Sequence, residues 1–182
     1  MSLGRRRSRA LSRLIALALL AALAFWGLPR LLPALWHVTR LVRLMREPPP
    51  TSLPVPVEGV ERSELRGTWG APRGGGRVHE GIDIFAPLGT PVRSTTHGLV
   101  VRKGWNRLGG RIVTVLGPGG QSHYYAHLDE FDTPEEGDWV EAGTVLGYVG
   151  TSGNAAGTPA HLHYGIYEVG GPARDPYPLL AP

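Results

Sequence analysis

From residue 61 onwards the sequence breaks into short β-type runs bounded by glycine. Leu99-Val100-Val101, Ile112-Val113-Thr114-Val115-Leu116, His123 to His127, Val145-Leu146-Gly147-Tyr148-Val149 and Leu162 to Val169 are dominated by β-branched and aromatic residues. Between them lie Gly109-Gly110, Gly117-Pro118-Gly119-Gly120 and Gly170-Gly171, which have turn chemistry. No helical period persists here for ten residues. The pattern predicts an all-β domain over residues 61–182, an antiparallel sandwich or open barrel. Glycine and proline together fill 43 of the 182 positions, which argues against a helix bundle. A faint repeat supports a duplicated β-unit: Gly89-Thr90-Pro91-Val92 and Gly137-Asp138-Trp139-Val140 each precede a turn and another strand.

The first 46 residues are of another kind. Arg5, Arg6, Arg7, Arg9 and Arg13 precede an uncharged run from Leu14 to Pro29. A positive segment followed by an apolar one reads as a signal-anchor, an N-terminal hydrophobic helix that places the rest of the chain outside the cytoplasm and holds it at the membrane. Cleavage near Ala22-Leu23-Ala24 would instead release it. Residues 34–46 carry Leu35, Val38, Leu41, Val42 and Met45 at helical spacing among arginines, a basic amphipathic stretch suited to a membrane surface. Pro48-Pro49-Pro50, Pro54 and Pro56 predict a semi-rigid linker over 47–60.

Charge follows the same division. Residues 1–50 hold nine arginines and one glutamate, whereas 51–182 hold ten basic and fourteen acidic residues. Basic character therefore belongs to the N-terminal segment, and the β domain lacks the excess of cations that nucleic-acid binding requires. The absence of cysteine removes disulfides and thiolate-held metals, so any metal must sit on His, Asp or Glu.

Five histidines have informative spacing. In His79-Glu80-Gly81-Ile82-Asp83 an imidazole and a carboxylate lie four apart, and in extended chain such positions share a face. His161-Leu162-His163 has period two, which turns both imidazoles to one side. Strict alternation also puts His123, Tyr125 and His127 on one face. A catalytic zinc takes three protein ligands and keeps an open position, while spare imidazoles nearby move protons. These spacings supply more imidazoles than one ion needs, and alone they do not distinguish His161 from His163 as the ligand.

Val78-His79-Glu80-Gly81-Ile82-Asp83-Ile84, Tyr125-Ala126-His127-Leu128 and Gly150-Thr151-Ser152-Gly153-Asn154 leading to His161-Leu162-His163 resemble the motifs of the LytM/lysostaphin-type zinc endopeptidases. The resemblance covers about residues 64–180 and includes Arg174-Asp175-Pro176-Tyr177-Pro178. It implies a fold of the duplicated hybrid motif type and hydrolysis of bacterial peptidoglycan peptides by a zinc-activated water. It also implies zinc ligands at His79, Asp83 and His163, and non-ligand catalytic histidines at His127 and His161. One departure stands out: Ala160 separates Pro159 from His161, where the family usually joins proline to histidine. Tyr125, His123 and Asn106 are candidates for contacting substrate.

A second reading is a non-hydrolytic module of the same fold that binds peptidoglycan or regulates another wall enzyme. Relatives of that kind lack the metal residues, whereas all five positions are filled here. A lipoyl- or biotin-carrier-like domain would need a lysine at a hairpin tip, and the only lysine, Lys103, follows Arg102 in a strand-like run.

Overall fold

The computed structural model describes residues 15–17, 19, 21, 25 and 28–181. It divides into two units, Met1–Arg43 and Leu44–Pro182. Helix α1 spans Leu28–Arg46, with Leu35, Val38, Val42 and Met45 exposed along it. Half of the apolar run Leu14 to Pro29 lies outside the described residues, and Arg5 to Arg13 and Ala22-Leu23-Ala24 lie wholly outside them. Among the described residues no helix is long and apolar enough to cross a membrane.

The second unit is antiparallel β throughout. Its strands are β1 (Pro72–Arg73), β2 (Arg77–Val78), β3 (Ile82–Phe85), β4 (Pro91–Arg93), β5 (Gly98–Asn106), β6 (Gly110–Leu116), β7 (Ser122–Phe131), β8 (Trp139–Val140), β9 (Val145–Val149), β10 (His161–Tyr167) and β11 (Ala173–Arg174), and a terminal turn of helix, α2, spans Tyr177–Leu180. The main sheet runs β11-β10-β7-β6-β5-β8, with β3 on β10 and β9 bridging β7 and β4, and β1 and β2 form a separate hairpin. The predicted strands are all present. The last one ends at Tyr167 rather than Val169, because Glu168 and Gly171 already close the Gly170-Gly171 turn through the bond from Gly171 N–H to Glu168 O.

The repeat has a structural counterpart. β4 leads into β5 and β8 leads into β9, yet β4 pairs with β9 and β8 pairs with β5. Gly89 N–H donates to Val149 O while Val149 N–H donates to Thr90 O. At the other junction Gly137 N–H donates to Val100 O while Val100 N–H donates to Asp138 O. Gly89 and Gly137 both have positive φ, 81° and 94°, a conformation that glycine adopts without steric cost. Two copies of one unit thus exchange their leading strands.

The core lies under the sheet and is built from alternate strand residues, among them Val100, Val113, Val115, Tyr125, Leu128, Leu162, Tyr164 and Ile166. Residues 47–60 do more than connect. Leu53 and Val57 enter the core, and Leu53 N–H donates to Leu179 O at 2.8 Å. Arg62 donates from its guanidinium to the carbonyls of Leu53 and Leu180, tying both ends of the unit together. Extended, proline-rich backbone lacks internal hydrogen bonds and so lies readily along a surface that offers carbonyls and an apolar seat.

Candidate active site

Strand β10 is regular from His161 to Tyr167, so His161 and His163 rise from one face while Leu162 is fully buried in the core. His163 pairs across the ladder with Asp83 of β3 on one side and Ala126 of β7 on the other. His79 does not share a continuous strand with Asp83, since β2 ends at Val78 and β3 begins at Ile82. The chain turns instead through Glu80-Gly81. A Cβ at Gly81 would stand 2.5 Å from the Tyr164 carbonyl and 2.7 Å from the His163 ring, so only glycine lets the chain pass beneath that imidazole. The backbone of His79 is locked by bonds to Ala71 O and from Gly70 N–H, each 2.9 Å.

The outcome is a compact donor set. His79 Nε2 lies 2.9 Å from His163 Nδ1 and 2.9 Å from Asp83 Oδ1, and His163 Nδ1 lies 3.0 Å from Asp83 Oδ1. Among the described residues these form the one group with the geometry to hold a metal ion. His79 Nδ1–H donates to the Thr68 carbonyl at 2.9 Å, which fixes the tautomer and leaves Nε2 with its lone pair turned to the cluster. Arg73 binds Asp83 Oδ2 and leaves Oδ1 facing the two imidazoles. Burial would raise the Asp83 carboxyl, but the two imidazoles beside it, His163 and His79, outweigh it and hold the group far below the usual carboxylate range. Burial also lowers His163, so its imidazole is neutral and has a lone pair to give. Ligand atoms around a four-coordinate ion at about 2.0–2.1 Å lie about 3.4 Å apart. The three electron-pair donors, on His, Asp and His, stand 2.9–3.0 Å apart and need to open by only about 0.4–0.5 Å to take a divalent cation with nitrogen and oxygen preference.

His127 and His161 flank this set. Their rings are 5.0 Å apart, and His127 lies 5.9 Å from the His163 ring. His127 Nδ1–H donates to Ser152 O at 2.9 Å and His161 Nδ1–H to Pro159 O at 2.8 Å. In both, Nε2 is left as the proton-accepting atom. Burial pushes His127 down to about 4, so it is neutral near pH 7.

His127 reaches the cleft by breaking the alternation. It is the one non-glycine residue with positive φ (65°) among the described residues, and its N–H donates to Gly109 O at 2.7 Å. This flips the side-chain parity of β7. Tyr124, Ala126 and His127 line the cleft, while His123 and Tyr125 are fully buried on the opposite face. The expectation that His123 and Tyr125 contact substrate is therefore corrected. They belong to a core network in which Thr95 Oγ1 meets the Tyr125 hydroxyl at 2.9 Å and the Tyr164 hydroxyl at 2.9 Å, and His123 Nδ1 meets Tyr164 at 2.7 Å. Asn106 does line the cleft: Nδ2 donates to Tyr124 Oη at 3.1 Å, and Oδ1 accepts from the N–H groups of Leu108 and Gly109. Strict alternation hid Tyr124, and the adjacent Gly109-Gly110 was the only local sign of the break. Two glycine turns interlock behind His127. A Cβ on Gly110 would meet Ser152 Oγ at 2.2 Å, and one on Gly153 would meet Gly110 N at 2.3 Å. That close approach places the Ser152 carbonyl where His127 needs it.

The cleft has a volume of about 780 Å³, large enough for several residues of extended peptide. Residues 77–176 match peptidase family M23, more than half of the chain and all five of the clustered residues. The chain belongs to peptidase family M23. It is 47% identical over 126 residues to the L-Ala–D-Glu endopeptidase of Bacillus subtilis, an alignment covering 63% of this chain and 39% of that protein. It is 34% identical over 110 residues to lysostaphin of Staphylococcus simulans, covering 58% and 22%. The chain thus spans well under half the length of these curated relatives. The catalytic domain of the S. simulans lysostaphin superposes with a TM-score of 0.56 at 32% identity, over 62% of this chain and 87% of that domain. Within the matched segment, H-x-x-x-D and H-x-H fall on the lead into β3, on β3 and on β10, where the ladder brings them together.

Proposed function

We propose that the chain is a zinc-dependent endopeptidase that hydrolyses peptide cross-links of bacterial peptidoglycan. The carrying observation is the convergence, in one cleft, of three donor atoms within 3.0 Å of one another and two further imidazoles. His79, Asp83 and His163 would hold the metal, and His127 and His161 would act on the reacting groups. Bound there, zinc supplies Lewis acidity, polarising the scissile carbonyl and lowering the pKa of water towards about 7.

The remaining chemistry lies with the chain. His127 and His161 present Nε2 because their Nδ1 protons are held by backbone carbonyls, so either ring accepts a proton from the attacking water. Once protonated, that Nε2–H donates to the developing oxyanion or to the departing amine. Charge on His127 is costly at its buried position, which favours prompt return of the proton to product. Such an activity acts outside the cytoplasm, and the arginine-rich segment 1–46 is the part of the chain suited to hold it at a membrane.

The test is to incubate the full chain with purified peptidoglycan, with and without a chelator, and to identify released fragments by mass spectrometry. Chelator-sensitive release of peptide fragments is expected. Binding to the wall without release from any peptidoglycan type would replace this reading with the non-hydrolytic one.

A further inference from the structure

The ladder registers arrange the cleft face in rows. Asp83, His163 and Ala126 are successive partners on β3, β10 and β7. One pleat along, Gly165, Tyr124, Thr114 and Arg102 are successive partners on β10, β7, β6 and β5. Arg102 therefore shares the face that carries the metal-type donors, and it lines the cleft together with Tyr124 and Asn106. Its charge reaches the Tyr124 phenol, where it opposes the rise caused by burial.

Arg102 reaches that face through a bulge. Val100 is fully buried in the core, and plain alternation would turn residue 102 inwards with it. The register instead shifts between Val100 and Arg102, two residues of β5 opposing one of β6, and the side chain emerges on the cleft side. Bulges next to active sites commonly re-aim a side chain in this way. Gly104 follows on the same face, with nothing within 4 Å of where a Cβ would stand, so no side chain at that position crowds the cleft beside Arg102.

The other cleft arginines are occupied. Arg73 is held by Asp83, and Arg77 donates from Nε to Gly74 O at 3.1 Å. Arg102 is exposed and makes no ion pair with a carboxylate among the described residues. Three strand spacings of about 4.8 Å separate β10 from β5, roughly 14 Å at the backbone. A side chain leaning inwards shortens that to the span of roughly two to four extended residues at about 3.3 Å each.

We propose that Arg102 is a specificity residue that receives a carboxylate of the bound peptide two to four residues from the scissile bond. The inference rests on the peptidase reading. It assigns as substrate an acidic peptide of the stem type rather than an uncharged glycine bridge.

The test uses the full chain and three peptides of equal length: one with an acidic side chain at the distal position, one with the corresponding side-chain amide, and one with the amide but a free C-terminal carboxylate. The first two have amidated ends. Hydrolysis is followed with zinc added, and dissociation constants are measured on metal-stripped protein by fluorescence anisotropy. We expect a preference for an acid over the all-amide peptide of about tenfold in kcat/KM, carried by KM, and a similar ratio in Kd. Arg102→Gln should bring both ratios near one, Arg102→Lys should retain part, and added salt should reduce the wild-type ratio. Preference for either acid supports the inference, and the one preferred identifies the source of the carboxylate. Equal Kd values for all peptides, or ratios unchanged in Arg102→Gln, would overturn it whatever the hydrolysis. No cleavage of any peptide together with an Arg102-dependent difference in Kd would sink the peptidase reading and leave the anion site standing.

Discussion

His123 offers a quantitative test of how the core is held. The ring is fully buried between β6 and β10, Nδ1 is engaged by Tyr164 at 2.7 Å and Thr95 at 3.2 Å, and Nε2 has no hydrogen-bond partner. Nδ1 is faced by the hydroxyls of Thr95 and Tyr164, with the Tyr125 hydroxyl one bond further on through Thr95, and none carries negative charge near neutral pH. An imidazolium here would carry a second N–H with nothing to accept it, and burial accordingly lowers the group from its ordinary 6.5 to about 4. The sign follows from linkage. Because the folded pKa is depressed, its share of stability is intact above pH 6.5 and drains away as pH falls through about 4. At about 1.4 kcal/mol per pKa unit the full effect is about 3 kcal/mol, most of it lost between pH 7 and pH 4. The perturbation is His123→Gln, which keeps a polar group and removes the titration. Urea unfolding of both proteins, metal-stripped and at a series of pH values, measures the difference. Wild type should lose about 3 kcal/mol more than the variant on going from pH 7 to pH 4. Parallel stability curves would refute the argument that the buried imidazole is held neutral.

Three further outcomes follow from the site and from residues 47–60, the strap that lays Leu53 and Val57 into the core. His163→Ala should abolish stoichiometric metal binding measured by elemental analysis, whereas His127→Ala and His161→Ala should keep the metal and lose peptide hydrolysis; equal metal loss in all three would contradict the division of roles. Gly81→Ala should cost about 1–3 kcal/mol and weaken metal binding, read by calorimetry and by competition with a chromophoric chelator, because its Cβ meets the Tyr164 carbonyl and the His163 ring at 2.5 and 2.7 Å. Leu53→Ala should destabilise the β unit by about 2–4 kcal/mol in denaturant titration, since the side chain is buried in the core; a change below about 0.5 kcal/mol would show that the strap contributes nothing.

How much of this was legible in the sequence depends on whether the relevant signal was local. H-L-H was readable because β10 is regular, so period two really does set His161 and His163 on one side of Leu162. The exchanged strands were foreshadowed by the matching Gly89 and Gly137 turns. Reading failed wherever a ladder is irregular. His127 has left-handed backbone that alternation does not anticipate, so Tyr124 was overlooked while His123 and Tyr125 were assigned to the wrong face. Arg102 was passed over for the same reason, since its direction is set by a bulge on β5 against β6. The role of Leu53 and Val57 was hidden by composition. Proline spacing reports a stretch that avoids regular structure, but not that a distant carbonyl at Leu179 is waiting for it.

The crossed pairing of β4 with β9 and of β8 with β5 bears on how the molecule tolerates being cut. Neither half completes its own sheet, because each lends its first strand to the other. A nick in the exposed loop around Glu135 and Glu136 would leave two fragments, each lacking a strand that only its counterpart can provide. Such fragments have reason to stay clasped, and an intact active cleft after backbone scission is the natural consequence of a duplicated unit that grew together by interlacing rather than by stacking.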